Sequence, residues 1–216
     1  MTRTVTAAAG VSFAGAVAFL VLLTALHFLK PEIDPSWRFI SEYSIGDYGW
    51  LMVLAFLSLA LSCVALVAAI WQDARTIGGR IGLILLLITA VGFLIAAIFT
   101  SDPLTATEDA RTTHGKLHEL GATLDLLPFA AVLVSWSMGR RNPAWYSAKR
   151  LLLWTTVLVW IGAAVFIVSL VMMFPADGKF GPDVALGWQS RFTILAHCVW
   201  LMTVAWFAIR LRRQRI

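Results

Sequence analysis

Six long apolar segments alternate with short polar joins along the chain. About 20 residues of α-helix cross a hydrocarbon core of about 30 Å, and an apolar run of 18 or more residues is typical of a membrane-spanning helix. The spanning helices are predicted at about 8–28, 48–71, 81–99, 114–138, 151–174 and 187–209. The pattern therefore predicts an all-α bundle that forms one transmembrane domain over residues 1–216.

Composition agrees with this class. Of the 216 residues, 60% are hydrophobic and only 13% are charged, and the mean hydropathy is +0.82. An ordinary soluble domain carries about a quarter charged residues. The first apolar segment exceeds the core of a signal peptide, which has about 7–15 residues, so we expect it to remain as a helix.

The basic residues predict the orientation. They concentrate at the two termini and in the joins after the second and fourth segments, whereas of the acids only Asp73 lies on that side. Cytoplasmic faces are rich in Lys and Arg, so we expect a multi-pass protein of the cell membrane with both termini cytoplasmic. The net charge of +5 then reflects topology and contact with anionic lipid, and we expect no nucleic-acid partner. The basic residues on this side are Arg3, Arg75, Arg80, Arg140, Arg141, Lys149, Arg150, Arg210, Arg212, Arg213 and Arg215.

Ionisable residues mark the stretch from Asp102 to Asp125, which enters the fourth segment. His114 and His118 are about one helical turn apart and share a face, and Asp125 is about 20° from His114 on that face. Asp125 is about 16 Å deeper along the helix. A carboxylate at that depth costs several kcal/mol unless it is protonated or paired.

Other polar residues are predicted at the same, outer side of the membrane. Glu42 precedes the second segment, and Arg191 and His197 belong to the sixth. We predict an outer-facing pocket with two groups of residues. Glu42, Asp102, His114 and His118 are the candidate catalytic residues, and Ser41, Tyr43, Asp125, Arg191 and His197 are candidate ligand contacts.

Several of these motifs resemble a six-helix prokaryotic membrane family, the domain of unknown function numbered 998. The resemblance covers nearly the whole chain and implies the fold and the outer polar cluster, but it implies no activity. Ser41, Glu42, Asp102, Pro103, His114 and His118 match recurring family positions. The motifs are Ile40-Ser41-Glu42-Tyr43, Tyr48-Gly49-Trp50-Leu51-Met52, Ile98-Phe99-Thr100-Ser101-Asp102-Pro103, His114-Gly115-Lys116-Leu117-His118, and Gly187 with Arg191.

The pocket residues leave several functions open. His114, His118 and Asp102 have the donor types of a zinc site, and a zinc-bound water would hydrolyse a lipid ester or amide. Without a metal, the acids and His would form a pocket for a lipid-like or isoprenoid ligand, or a proton-coupled transport site. A structural role within a partner complex and haem ligation by His are further alternatives. We favour binding or processing of a lipid-like amphiphile, with membrane lipids as partners.

Overall fold

The computed structural model describes residues 2–175 and 180–213, and for residues 2 and 3 only the backbone. Within that part the chain forms seven α-helices joined by short loops and three 3₁₀ turns, at Ile40–Ser44, Glu108–Ala110 and Pro143–Ala148. The helices are α1 (Thr2–Leu29), α2 (Gly49–Ile70), α3 (Ile77–Ile98), α4 (Thr113–Thr123), α5 (Leu127–Arg141), α6 (Lys149–Met173) and α7 (Gly187–Arg213).

The described residues contain six helical segments that are long and apolar enough to cross a membrane. This confirms the predicted all-α class and the number of helical segments of membrane-spanning length. The fourth segment differs from the prediction because it consists of two helices, α4 and α5, separated by Leu124, Asp125 and Leu126. Asp125 therefore does not continue the helical face of His114 and His118.

Pro128 explains the interruption. A proline inside a helix has no N–H to donate, and its ring clashes with the carbonyl of the residue four positions earlier, here Leu124. The interruption leaves backbone N–H groups without helical partners. The N–H of Leu126 donates to Oγ1 of Thr89 on α3 at 3.0 Å, and the N–H of Leu127 donates to Oδ1 of Asp125 at 3.3 Å.

Sequential spans are neighbours, and the last span packs against the first. α1 packs on α2, α2 on α3, α3 on both α4 and α5, α5 on α6, and α6 on α7, which contacts α1. Gly92 and Gly121 let α3 and α4 cross closely, because a Cβ on Gly92 would lie 2.6 Å from the carbonyl oxygen of Gly121. The short α4 is thus held against α3, on one side of the bundle.

Polar contacts join the loops at each end of the bundle. At the end of the bundle where α1 begins and α7 ends, which we call the terminal end, Asp73 accepts a hydrogen bond from Arg212 at 3.0 Å, and its backbone carbonyl accepts one from Asn142 at 3.2 Å. We call the opposite end, with residues 30–48 and 99–112, the cavity end. The predicted membrane orientation of these ends stays a prediction, and two residues that support it, Arg215 and the side chain of Arg3, lie outside the described part.

Replacing Thr89 with Val should destabilise the protein, because the N–H of Leu126 would lose its bond to α3 and keep only the carbonyl oxygen of Leu124, at 2.9 Å, as an acceptor. One hydrogen bond contributes about 0.5–1.5 kcal/mol to stability. Thr155→Val is the matched control, since the buried Thr155 hydroxyl bonds only carbonyls of its own helix. Reversible unfolding in mixed micelles measures both variants. Equal effects of the two substitutions would contradict this role of Thr89.

Candidate ligand-binding cavity

A cavity of about 330 Å³ lies at the cavity end, between α4 on one side and α6 and α7 on the other. Four phenylalanine rings from four parts of the chain line it: Phe39, Phe56, Phe93 and Phe166. Polar lining residues include Ser41, Glu42, Asp102, His118, Glu119 and Asp125. The cavity therefore combines an aromatic wall with several ionisable groups, which is typical of a small-molecule site.

Asp125 and His197 form a pair in this cavity region. Nε2 of His197 lies 3.1 Å from Oδ2 of Asp125, although the contact falls outside hydrogen-bond geometry. His197 is fully buried, whereas the side chain of Asp125, a cavity-lining residue, is 30% exposed. The break between α4 and α5 thus brings a carboxylate from the fourth span to an imidazole of α7.

The hydrogen bonds of His197 determine how many protons this pair holds. Nδ1 lies 2.6 Å from the carbonyl oxygen of Thr193, which can only accept, so Nδ1 carries a proton. In a neutral imidazole, Nε2 is then a lone-pair acceptor, and it would repel an ionised carboxylate. We infer that Asp125 and His197 share one proton, either as a carboxylate with an imidazolium or as a carboxylic acid with a neutral imidazole.

His118 supplies a second imidazole to the cavity. Its Nδ1 lies 2.8 Å from the carbonyl oxygen of Phe99 and therefore donates, while the ring packs edge-on against Phe56 at a centroid distance of 5.8 Å. Nε2 forms no hydrogen bond with any described residue. This nitrogen is the group of His118 that can accept a proton or bond a ligand.

His114 and Asp102 do not join His118 in a metal-binding arrangement. His114 is exposed, packs against the ring of Phe99 and is not a lining residue of the cavity. Oδ2 and Oδ1 of Asp102 accept bonds from the backbone N–H and the hydroxyl of Thr112, at 2.7 and 2.8 Å. No group of three or more His, Cys, Asp or Glu in the described part of the chain has the geometry to hold a metal ion. The predicted zinc site gains no geometric support.

Asp102 has a clear effect on local structure. Asp102 accepts hydrogen bonds from the N–H and the hydroxyl of Thr112. Thr112 in turn caps α4, because its hydroxyl oxygen accepts a bond from the N–H of Gly115 at 2.9 Å. A Cβ on Gly115 would overlap the Asp102 carboxylate, so glycine is needed for this approach. Asp102 therefore positions the start of the helix that carries His118.

Glu42 is almost completely buried and connects two loops. Its carboxylate forms a bidentate ion pair with Arg38, with both N–O distances at 2.8 Å, and accepts a bond from the N–H of Phe39. It also accepts the N–H of Leu104 at 2.8 Å, which links the first loop to the loop after α3. These contacts give Glu42 a bracing role, and its catalytic role stays a prediction.

Arg191 and Tyr43, two predicted ligand contacts, lie next to the cavity and not in its lining. Arg191 is buried and donates to Nε2 of His27, to the carbonyl oxygens of Arg38 and Gly187, and to the hydroxyl of Tyr43, at 2.7–3.2 Å. Burial raises the pKa of the Tyr43 phenol, although Arg191 opposes this, so the phenol stays neutral at physiological pH. This cluster joins α1, the first loop and α7.

Sequence reasoning missed Thr89, Arg38 and Phe166, and it considered His27 only as a candidate haem ligand. Thr89 is the single polar side chain in the predicted segment 81–99, and Arg38 precedes Glu42 by four residues. The sequence therefore indicated a possible role for both residues. It indicated no such role for His27 and Phe166, because their roles depend on how separate helices pack.

Taken together, the fold and the cavity define a class: an all-α bundle with six membrane-length spans and a polar, aromatic cavity beside an interrupted helix. The chain belongs to the family described as "Protein of unknown function (DUF998)", whose model matches residues 13–207. A comparison with curated proteins found no match, and neither did a comparison with solved structures.

Replacing Glu42 with Gln should destabilise the protein strongly. Gln has nearly the same shape but leaves Arg38 without its partner, and breaking a buried pair typically costs about 3–5 kcal/mol. Glu119→Gln is the control: its side chain is 52% exposed and pairs with Arg111, and such pairs contribute about 0–1 kcal/mol. Chemical unfolding in micelles compares them. Wild-type stability of Glu42→Gln would refute the bracing role.

Proposed function

We propose that this protein binds a lipid-like amphiphile in the cavity between α4 and α6–α7 and holds its polar end for recognition or reaction. The carrying observation is the composition of the cavity: four phenylalanine rings together with His118 and Asp125, whose carboxylate lies against the buried His197. The rings suit an apolar chain, and the ionisable groups suit a polar head.

The source of the ligand follows from the proposed orientation. Both termini would be cytoplasmic by the positive-inside rule, and the cavity end would face the outer side of the cell membrane. α4 packs against α3, and the cavity separates it from α6 and α7. An amphiphile of the outer leaflet would therefore enter sideways from the membrane, with its chain beside Phe166 of α6.

Processing of the bound molecule would centre on His118. Its Nε2 is a general-base candidate, because the opposite ring nitrogen is fixed by the Phe99 carbonyl. The zinc-dependent hydrolase has less support, since Asp102 is engaged by Thr112 and His114 is not a cavity residue.

Filling the cavity should remove the ligand. Ala122 lines the cavity from α4, and Ala122→Phe would occupy the space of the chain. Leu120→Phe places the same ring on an exposed position of the same helix, outside the lining. We expect wild type and Leu120→Phe to co-purify with an enriched lipid species, and Ala122→Phe to retain at least about tenfold less of it, as a loss of about 1.4 kcal/mol in binding would give. Mass spectrometry of solvent extracts measures the lipid, and equal retention in all three would contradict the proposal.

A second candidate function, proton-coupled transport of the ligand, is favoured by the Asp125–His197 pair. The pair holds one proton at membrane depth. Binding of the ligand can release this proton or depend on it, which would couple the two. Interrupted spanning helices with ionisable groups at the break are a recurrent feature of transporter binding sites. The thiols of Cys63 on α2 and of Cys198 next to His197 are titratable groups near the pair, and His118 and Glu119 line the same cavity as Asp125.

Loss of the shared proton should weaken retention of the ligand. Once the pair loses its shared proton, a carboxylate would face an imidazole lone pair in the cavity, whereas the protonated pair is neutral overall; lipid retention is compared at about pH 6.5 and about pH 9. We expect severalfold lower lipid retention at the higher pH in wild type. Asp125→Asn should abolish the difference, because the amide donates to Nε2 of His197 and does not titrate.

Two variants serve as controls for this pH effect. Cys63→Ala removes the nearby thiol, and His114→Gln removes an imidazole outside the cavity; both should keep the wild-type difference. A pH effect that persists in Asp125→Asn, or that vanishes in Cys63→Ala, would exclude the shared proton as its cause.

A further inference from the structure

A second concavity lies between α1 and α7, toward the terminal end and far from the cavity described above. It has a volume of about 350 Å³ and is lined by Gly10 and Phe13 of α1 and by Trp206, Ile209, Arg210 and Arg213 of α7. The four α7 residues have the spacing i, i+3, i+4 and i+7, so they form one stripe along a single helix face. We call this concavity the α1–α7 groove.

The groove changes from apolar to basic along its length. Trp206 and Arg213 are seven residues apart, which is about 10 Å along a helix. Phe13 and Trp206 meet at the apolar side with ring centroids 6.4 Å apart. An aromatic pair that lies about 10 Å from a basic group matches the interfacial zone of a membrane leaflet, where chains meet headgroups.

The arginines of the groove are free to bind an anion. Arg210 and Arg213 are exposed and form no ion pair or hydrogen bond with any described residue, whereas the adjacent Arg212 pairs with Asp73. The lining of the groove contains no acid. Two unpaired guanidinium groups on one helix face, one turn apart, have the geometry to share one phosphate.

Gly10 keeps the apolar part of the groove open. A Cβ on Gly10 would meet no atom within 4 Å, so its surroundings are empty space and not a helix contact. Any larger side chain would occupy that space. This differs from Gly15 on the same helix, where a Cβ would lie 2.6 Å from the carbonyl oxygen of Ser58.

We propose that the α1–α7 groove is a binding site for one anionic glycerophospholipid of the leaflet at the terminal end. Arg210 and Arg213 bind the phosphate and the anionic headgroup, and one acyl chain lies over Gly10 beside Phe13 and Trp206. Charge complementarity selects this occupant over a zwitterionic lipid, because the groove offers two cations and no acid. The site is independent of the proposed ligand of the cavity.

Native mass spectrometry of the full chain in a neutral detergent tests this site, with dioleoyl phosphatidylglycerol and dioleoyl phosphatidylcholine as probes. We expect tighter binding of the phosphatidylglycerol to wild type. The double variant Arg210→Gln, Arg213→Gln should lose about 30-fold in its affinity, which corresponds to about 1 kcal/mol for each arginine, and should keep its affinity for phosphatidylcholine.

Two further variants separate this site from general attraction. Gly10→Leu fills the groove without a change in charge, fits the empty space and should weaken phosphatidylglycerol binding at least tenfold. The double variant Arg140→Gln, Arg141→Gln removes a basic pair at the same end but outside the groove, and should bind as wild type does. Equal losses in both arginine double variants, or wild-type binding by Gly10→Leu, would overturn the proposal. A dimer that Gly10→Leu disrupts, without any preference for the anionic lipid, would assign the groove to a second copy of the chain and would also overturn it.

Discussion

The hydrogen bond from the N–H of Leu126 to the hydroxyl of Thr89 is the contact on which the cavity depends. An interrupted helix in apolar surroundings exposes backbone groups, and each unsatisfied group costs several kcal/mol in a membrane. Thr89 and the Asp125 carboxylate each accept one backbone N–H at the break, and backbone carbonyls accept others. Because the break is stabilised in this way, α4 and α5 both pack on α3, α5 also packs on α6, and a space remains between α4 and α7.

The ionisable residues at the cavity end divide into two groups by what they contact. Glu42, Asp102 and Arg191 have their polar atoms bonded to backbone and to neighbouring side chains, so they hold the loops and the start of α4 in place. His118 and Asp125 keep atoms that the protein does not fully engage, and both line the cavity. The charges bonded within the protein thus hold the walls of the cavity in place, whereas His118 and Asp125 remain available to a ligand.

Much of the helical architecture follows from the sequence, because apolar segments of membrane length are recognised from composition and length alone. Asp125 and His197 were predicted as ligand contacts, but their pairing depends on the break in the fourth segment. Pro128 was the feature of the sequence that indicated the break. The apolar segment that contains Pro128 is nevertheless long enough to span a membrane as one helix. The prediction of a shared face for His114 and Asp125 assumed an unbroken helix and was wrong for this reason.

A density map of the chain in a lipid nanodisc, at a resolution that separates side chains, tests the central claim most directly. The account predicts that the fourth span stops at Thr123 and resumes at Leu127, with Asp125 against His197 and elongated non-protein density between α4 and α6–α7. A continuous helix through Asp125, or a cavity filled by the protein's own side chains, would contradict it.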